Sequence, residues 1–460
     1  MDLYLYFYAC MGEIYLDIYD LLLSPFYFLL ILYIAYYYKN KKLRIEGKTH
    51  YKYFLPALFC KIIGSISLCL IYTYYYDGGD VINYYTSAKM FVNVILEGHF
   101  EKFFDMMDYK HNNINYILSS GNVYGGGLGF SPNDYYALFT VMLTIPICLI
   151  ACKSFIVTSM ILSSLSFIGL WKLYEVFIDQ FPQLTREFAW SIFFVPSVFF
   201  WGSGILKDTY TFSAIGFYVY GLYNFLILKR RNIQYLLAMI GAVIIFIYIK
   251  PYFFFALLPG SLIWIFFNRI KNIKNQVLAA VIIPVLMLSA LGMVIFVLSN
   301  FGQYLGEYSL DNVLNKAVKT QQDLIREQYG GNSYNIGEFE PTVQGILMKA
   351  PAALNLALFR PFIWDARNPV MLLSGLENFF MLAFSLYILF KVKISTLLKS
   401  FFGHPLLIFS MLFAIFFAFS VGLTTANYGA LARLKIPCIP FYMCSLFILY
   451  YLNRKSFGRR

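Results

Sequence analysis

Charged side chains are few in this chain, 13% of its 460 residues, against about 25% in an ordinary soluble domain. With 60% hydrophobic and 20% aromatic residues beside that deficit, a water-soluble globular protein is excluded. Histidine is rare too. His50, His99, His111 and His404 are dispersed and form no HExxH or similar metal-binding pair. The seven cysteines (10, 60, 69, 148, 152, 438 and 444) lie mostly in apolar stretches without metal-ligand spacing, so they read as packed thiols. The chain opens without a basic n-region, and Glu13, Asp17 and Asp20 stand early, so no cleavable signal peptide is expected. Internal repeats, low-complexity tracts and a separate soluble domain are also missing.

What is present in quantity is apolar sequence. Several runs reach the roughly 20 residues that a helix needs to cross a bilayer. The fold class is therefore all-α, a polytopic integral membrane protein read as one membrane domain over 1–460. The net charge of +12 comes from short basic clusters between apolar runs: 39–44, 229–231, 269–274, 391–399 and 453–460. Such clusters follow the positive-inside pattern. The basic excess reports topology, and nucleic acid is not an expected partner.

Taking those clusters as cytoplasmic fixes a set of crossings. Segment 21–38 enters the cytoplasm from an outside N-terminus, and 54–75 leads out again. Among 135–152, 154–177, 189–206 and 209–228 one segment must not cross. The short 135–152, with Pro146, is read as interfacial, and 189–206, with Pro196, Gly202 and Gly204, is the rival as a broken element. Spans 234–249, 252–268, 277–299, 371–391, 404–424 and 432–452 complete about eleven, with a cytoplasmic C-terminus. Two large segments then share the outer face. One is 76–134, with an amphipathic helix at roughly 82–108 and the loop "SSGNVYGGGLGFSPND". The other is 300–370, with a polar helix at 308–327 and the interface-hugging stretch "GILMKAPAALNLALFRPFIW".

On that face the unusual polar residues gather: Asp77, Asp80, Lys207, Asp208, Lys250, Arg326, Arg360, Asp365, Arg367 and Arg433. Ionisable groups at membrane depth are costly and mark functional sites. Carboxylates with several cations suit a reaction on an anionic lipid-linked substrate, the acid acting as base and the cations holding phosphate. Plainer roles compete. Asp77 and Asp80 flank Gly-Gly as a turn would, with Asp80 as N-cap of a helix starting near Val81. Lys207 and Asp208 could pair locally, while Arg360 and Arg433 could snorkel. Arg326 belongs to a solvated helix face.

The order of "YYYDGGDVINYY", "NDYYALFTVMLTIPICL", "VPSVFFWGSGILKDTYTF" and "YIKPYFFF" resembles the glycosyltransferase C superfamily, membrane enzymes that use polyprenyl-phosphate sugar donors. The likeness covers roughly 54–268. It departs in having D-G-G-D in place of an adjacent acidic pair, and "FRPFIWDARN" and "NYGALARLK" have no counterpart. The later half is similar to membrane proteins of bacterial surface-polysaccharide biosynthesis, polymerases included. The resemblance implies a transferase at the outer face of the bacterial inner membrane. Asp77, Asp80 and Asp208 would be its catalytic acids, with a divalent metal at Asp208 as an alternative role. Lys207, Lys250, Arg360 and Arg433 would bind substrate. Its partners would be a lipid-linked sugar donor, a glycan or lipid-linked acceptor and membrane lipids. Rivals are an O-antigen or exopolysaccharide polymerase and a flippase of lipid-linked saccharides. The span interiors look nearly free of charge, Lys172 and Glu175 lying near the inner end of 154–177, which disfavours the flippase.

Overall fold

A computed structural model describes residues 16–107, 129, 130, 134–271, 285, 334, 343–367 and 369–454. All regular structure among them is helical. Helix α1 (Ile18–Arg44) opens with a capping box between Asp17 and Asp20 and closes on Lys41, Lys42 and Arg44, an arrangement the helix dipole favours. Next come α2 (Phe54–Tyr74), α3 (Asp80–Leu96), α4 (Phe100–Met107), α5 (Tyr135–Ile150) and α6 (Phe155–Gln180). The expected helix at 82–108 is thus two helices. Gly98, at φ 80°, turns the chain into a left-handed conformation that ends α3.

Beyond α6 the helices are shorter: α7 (Thr185–Phe193), α8 (Pro196–Trp201), α9 (Lys207–Gly221), α10 (Ile233–Ile249) and α11 (Tyr252–Lys271). Segment 189–206 is broken, because Pro196 brings no amide hydrogen to the turn before it. After Gly221, helix α9 gives way to one π-helical stretch, Leu222–Ile227. The later chain forms α12 (Val343–Met348), α13 (Ala350–Phe359), α14 (Pro369–Lys391), α15 (Ile394–Gly403), α16 (Pro405–Thr424), α17 (Tyr428–Leu434) and α18 (Cys438–Leu452). The expected span 277–299 and polar helix 308–327 lie outside the described residues, residue 285 excepted.

Among the described residues, five helices are long and apolar enough to cross a membrane: Ile18–Arg44, Thr49–Tyr74, Phe155–Gln180, Met371–Lys391 and Pro405–Thr424. A sixth results if α17 and α18, bent by 64°, count as one. Tyr135–Ile150, Ile233–Ile249, Tyr252–Phe267 and Ala350–Phe359 are apolar but shorter.

The chain divides into two compact units. The first comprises Met1–Trp171, Phe199–Gly216 and Tyr248–Lys250. Here α3 packs along α5, and Tyr51, Phe54, Phe167 and Trp171 form an aromatic cluster whose ring centroids lie 4.8–5.8 Å apart. Small residues let backbones touch. A Cβ at Gly216 would overlap the Gly169 carbonyl, and one at Gly64 would overlap the Phe199 carbonyl. Such contacts suit helices in lipid, where close packing replaces water exclusion as the driving force.

The second unit comprises Lys172–Val198, Phe217–Ile247 and Pro251–Arg460. Helix α16 lies at its centre, against α11, α13 and α18. Helix α14 has its polarity inverted. Ser374, Asn378 and Ser385 are buried, while Leu376, Phe379, Phe380 and Phe390 are exposed. An apolar outside and a polar inside is the pattern of a helix whose surroundings are lipid.

Candidate functional site

The stretch that follows α2 is a tight turn. Asp77, Gly78 and Gly79 carry φ of 47°, 132° and 105° in succession, the region open mainly to glycine and, among other residues, to Asn and Asp. Gly79 is the N-cap of α3, so Asp80 is its first helical residue and not its cap. The reason is Gly79's φ, which suits a glycine and not an aspartate. Asp77 is exposed at the tip of this turn, whereas Asp80 is half-buried.

Asp80 has company. Its charge is felt at Lys207, the first residue of α9, as are those of Asp134 and Lys250. The Lys207 ammonium binds both oxygens of Asp134, at 3.0 and 3.3 Å. It also lies over the ring of Tyr84, 5.9 Å from the centroid, a cation–π placement. Tyr84 stands one turn after Asp80 on α3. Burial pushes the Lys207 ammonium below its ordinary value, and the Asp134 carboxylate works against that push. Asp134 has a second duty as N-cap of α5, accepting from Ala137 N at 2.9 Å. Behind this rim, Asp208 accepts from Lys250, which directly follows α10. Both are buried, Asp208 completely.

Three helices therefore start here, and each brings an acid to its N-terminal end: Asp80 on α3, Asp134 at α5 and Asp208 on α9. Lys250 stands at a helix C-terminus. The three acids agree with the dipoles of their helices and Lys250 agrees with that of α10, although it also stands two residues before the start of α11. Lys207 opposes its own dipole and relies on Asp134. With three carboxylates to two ammoniums, the group is better suited to taking a proton than to capturing an anion unaided. Among the described residues no three His, Cys, Asp or Glu side chains are grouped as metal ligands. Asp208, already bonded to Lys250, does not fit a metal role.

Arg360 and Arg433 belong to the second unit. Arg360 Nη1 donates to the Tyr428 hydroxyl at 3.1 Å, its Nε lies 3.8 Å from Asp365, and its guanidinium covers the Phe362 ring at 5.0 Å. Arg433 is half-buried on α17 and Arg367 is exposed. Arg326 lies outside the described residues.

Several charged residues escaped the sequence reading. Asp134 stands between a glycine-rich loop and the apolar segment 135–152 and is not singled out by the sequence. Lys435, two residues after Arg433, is fully buried and donates to the Arg360 carbonyl at 2.8 Å and Asn378 Oδ1 at 2.6 Å. Lys61 is buried within α2 and donates to the Gly202 carbonyl. Glu377 lies within α14. The expectation of nearly charge-free span interiors fails at Lys61 and Glu377, each a single charge within an apolar run, the signal that marks intramembrane sites. Comparison with family models, curated proteins and solved structures finds no match to this chain.

Proposed function

We propose that this chain is an integral-membrane glycosyltransferase. It moves a sugar from a polyprenyl-phosphate-linked donor to a glycan or lipid-linked acceptor at the outer face of the bacterial inner membrane. In this reading about eleven segments cross the bilayer, with the N-terminus outside and the C-terminus cytoplasmic. The observation that carries it is the meeting of Asp80, Asp134, Lys207, Asp208 and Lys250 within one unit. These residues come from four separate stretches of chain, and turn or cap roles alone would not require them to meet.

Asp80, half-buried and at the accessible side of the group, is the general base. It takes the proton of the acceptor hydroxyl as that oxygen attacks the anomeric carbon. The bond from anomeric carbon to phosphate oxygen breaks, and the lipid phosphate leaves with the electron pair, inverting the centre. Lys207 exchanges Asp134 for the departing phosphate, a charge-assisted contact that strengthens as the leaving group gains charge. Lys250 and Asp208 are positioning residues that hold the start of α9.

The test is transfer in membranes supplied with a polyprenyl-phosphate sugar. Asp80→Asn is expected to reduce the rate by about 10²–10⁴, with the protein still at wild-type level. Transfer that persists in Asp80→Asn and in the Asp77→Asn/Asp80→Asn double variant overturns the assignment. The buried Lys61 and the half-buried Glu377 favour one second reading, a transporter of lipid-linked saccharides. Lipid movement in vesicles without bond formation would select it.

A further inference from the structure

The second unit holds a group of oxygens that its own side chains do not satisfy. Glu377 Oε1 accepts from the backbone N of Ser197 at 2.8 Å. Its other oxygen, Oε2, and the hydroxyls of Ser197 and Ser374 are buried without a well-formed hydrogen bond, and the Ser197 hydroxyl stands near enough to the carboxylate to interact with it. Ser374 and Glu377 are three residues apart on α14 and share a face. Ser197 and Ser374 are 6% and 3% exposed. A buried orphan polar atom costs about 1–3 kcal/mol, more when charged, and commonly signals a bound water or ion.

The helix break supplies further acceptors. In a continuous helix the Ile192 and Phe193 carbonyls would receive the amides of residues 196 and 197. Residue 196 is proline and has none, and the Ser197 amide is turned to Glu377. Both residues are buried. Interrupted helices whose freed carbonyls meet a carboxylate and hydroxyls are a standard way of holding a small cation at membrane depth.

We infer that Glu377 Oε2, the Ser197 and Ser374 hydroxyls and the Ile192 and Phe193 carbonyls form a site for one small monovalent cation of the sodium type. All five donors are oxygens, the ligand set of a hard cation. Lys435, fully buried and near enough to Glu377 for each charge to be felt by the other, makes a divalent ion unfavourable. The site is independent of the sugar-transfer reading and serves a transferase or a transporter equally.

Thermal melting of the full-length chain in a neutral detergent tests it, with sodium chloride compared against choline chloride at equal ionic strength. Sodium is expected to raise the melting temperature saturably, as a ligand of the folded state does. Glu377→Gln should abolish the response. Ser374→Ala should raise the half-maximal sodium concentration about tenfold, and it carries the test if Glu377→Gln does not fold. Equal melting in the two salts overturns the site, as does a sodium response that both variants leave intact. Melting that follows pH alone, alike in both salts, also overturns it and marks Glu377 as a protonated carboxyl.

Discussion

The Asp208–Lys250 pair offers a sharp quantitative test. Asp208 is 0% and Lys250 8% exposed, so neither charge leans on water and each depends on the other. Lys250→Met leaves the Asp208 carboxylate buried without its ammonium, and Asp208→Asn leaves the ammonium without its carboxylate. Breaking a buried pair from one side costs about 3–5 kcal/mol. That is a large share of the 5–15 kcal/mol by which folded domains are stable. Replacing both at once, as Asp208→Leu/Lys250→Met, removes the desolvation penalty together with the attraction. The double variant should then return to within about 1 kcal/mol of the wild type. Unfolding free energies from sodium dodecyl sulfate titration in mixed micelles would give all four corners of the cycle. Single variants within about 1 kcal/mol of wild type would show that the pair is hydrated. A double variant as unstable as either single one would show that other partners hold these groups, and both results refute the reasoning.

Two further changes probe the surroundings. Asp134→Ala removes both the cap of α5 and the partner of Lys207, and should cost about 1–2 kcal/mol. Asp134→Asn, which still caps, should recover most of that stability in the same titration but not the transfer rate. Gly216→Ala puts a methyl into the Gly169 carbonyl and should cost about 1–3 kcal/mol. Gly241→Ala, where nothing lies within 4 Å, should gain about 0.5–1 kcal/mol and controls for helix propensity.

Much of the helical framework was legible because apolar runs of membrane length have few alternatives. Segments 21–38, 54–75, 154–177, 371–391 and 404–424 each correspond to a long helix. Breaks were harder to read. Pro196 announced one and Pro437 stands at the bend before Cys438, whereas the change to π-helix after Gly221 depends on packing that no local signal carries. Of the candidate site, Asp80, Lys207, Asp208 and Lys250 could be chosen because each interrupts apolar sequence at a helix end. Asp134 looked like an ordinary loop acid, and only the approach of Lys207 from a distant part of the chain makes it part of the group. Lys61 and Glu377 were overlooked for the opposite reason. Each is one letter in a greasy run, and hydropathy averaged over a window hides a single charge.

The run of positive φ angles at Asp77, Gly78 and Gly79 also decides how mutagenesis there must be read. Alanine at 77 removes a carboxylate and at the same time a residue type that tolerates the left-handed region, so a loss of activity would mix charge with backbone strain. Asparagine tolerates that region about as well as aspartate and removes the charge alone. An alanine scan would credit Asp77 with chemistry that belongs to the hinge of the turn, and only the pair of substitutions, Asp77→Asn beside Asp77→Ala, tells the two apart.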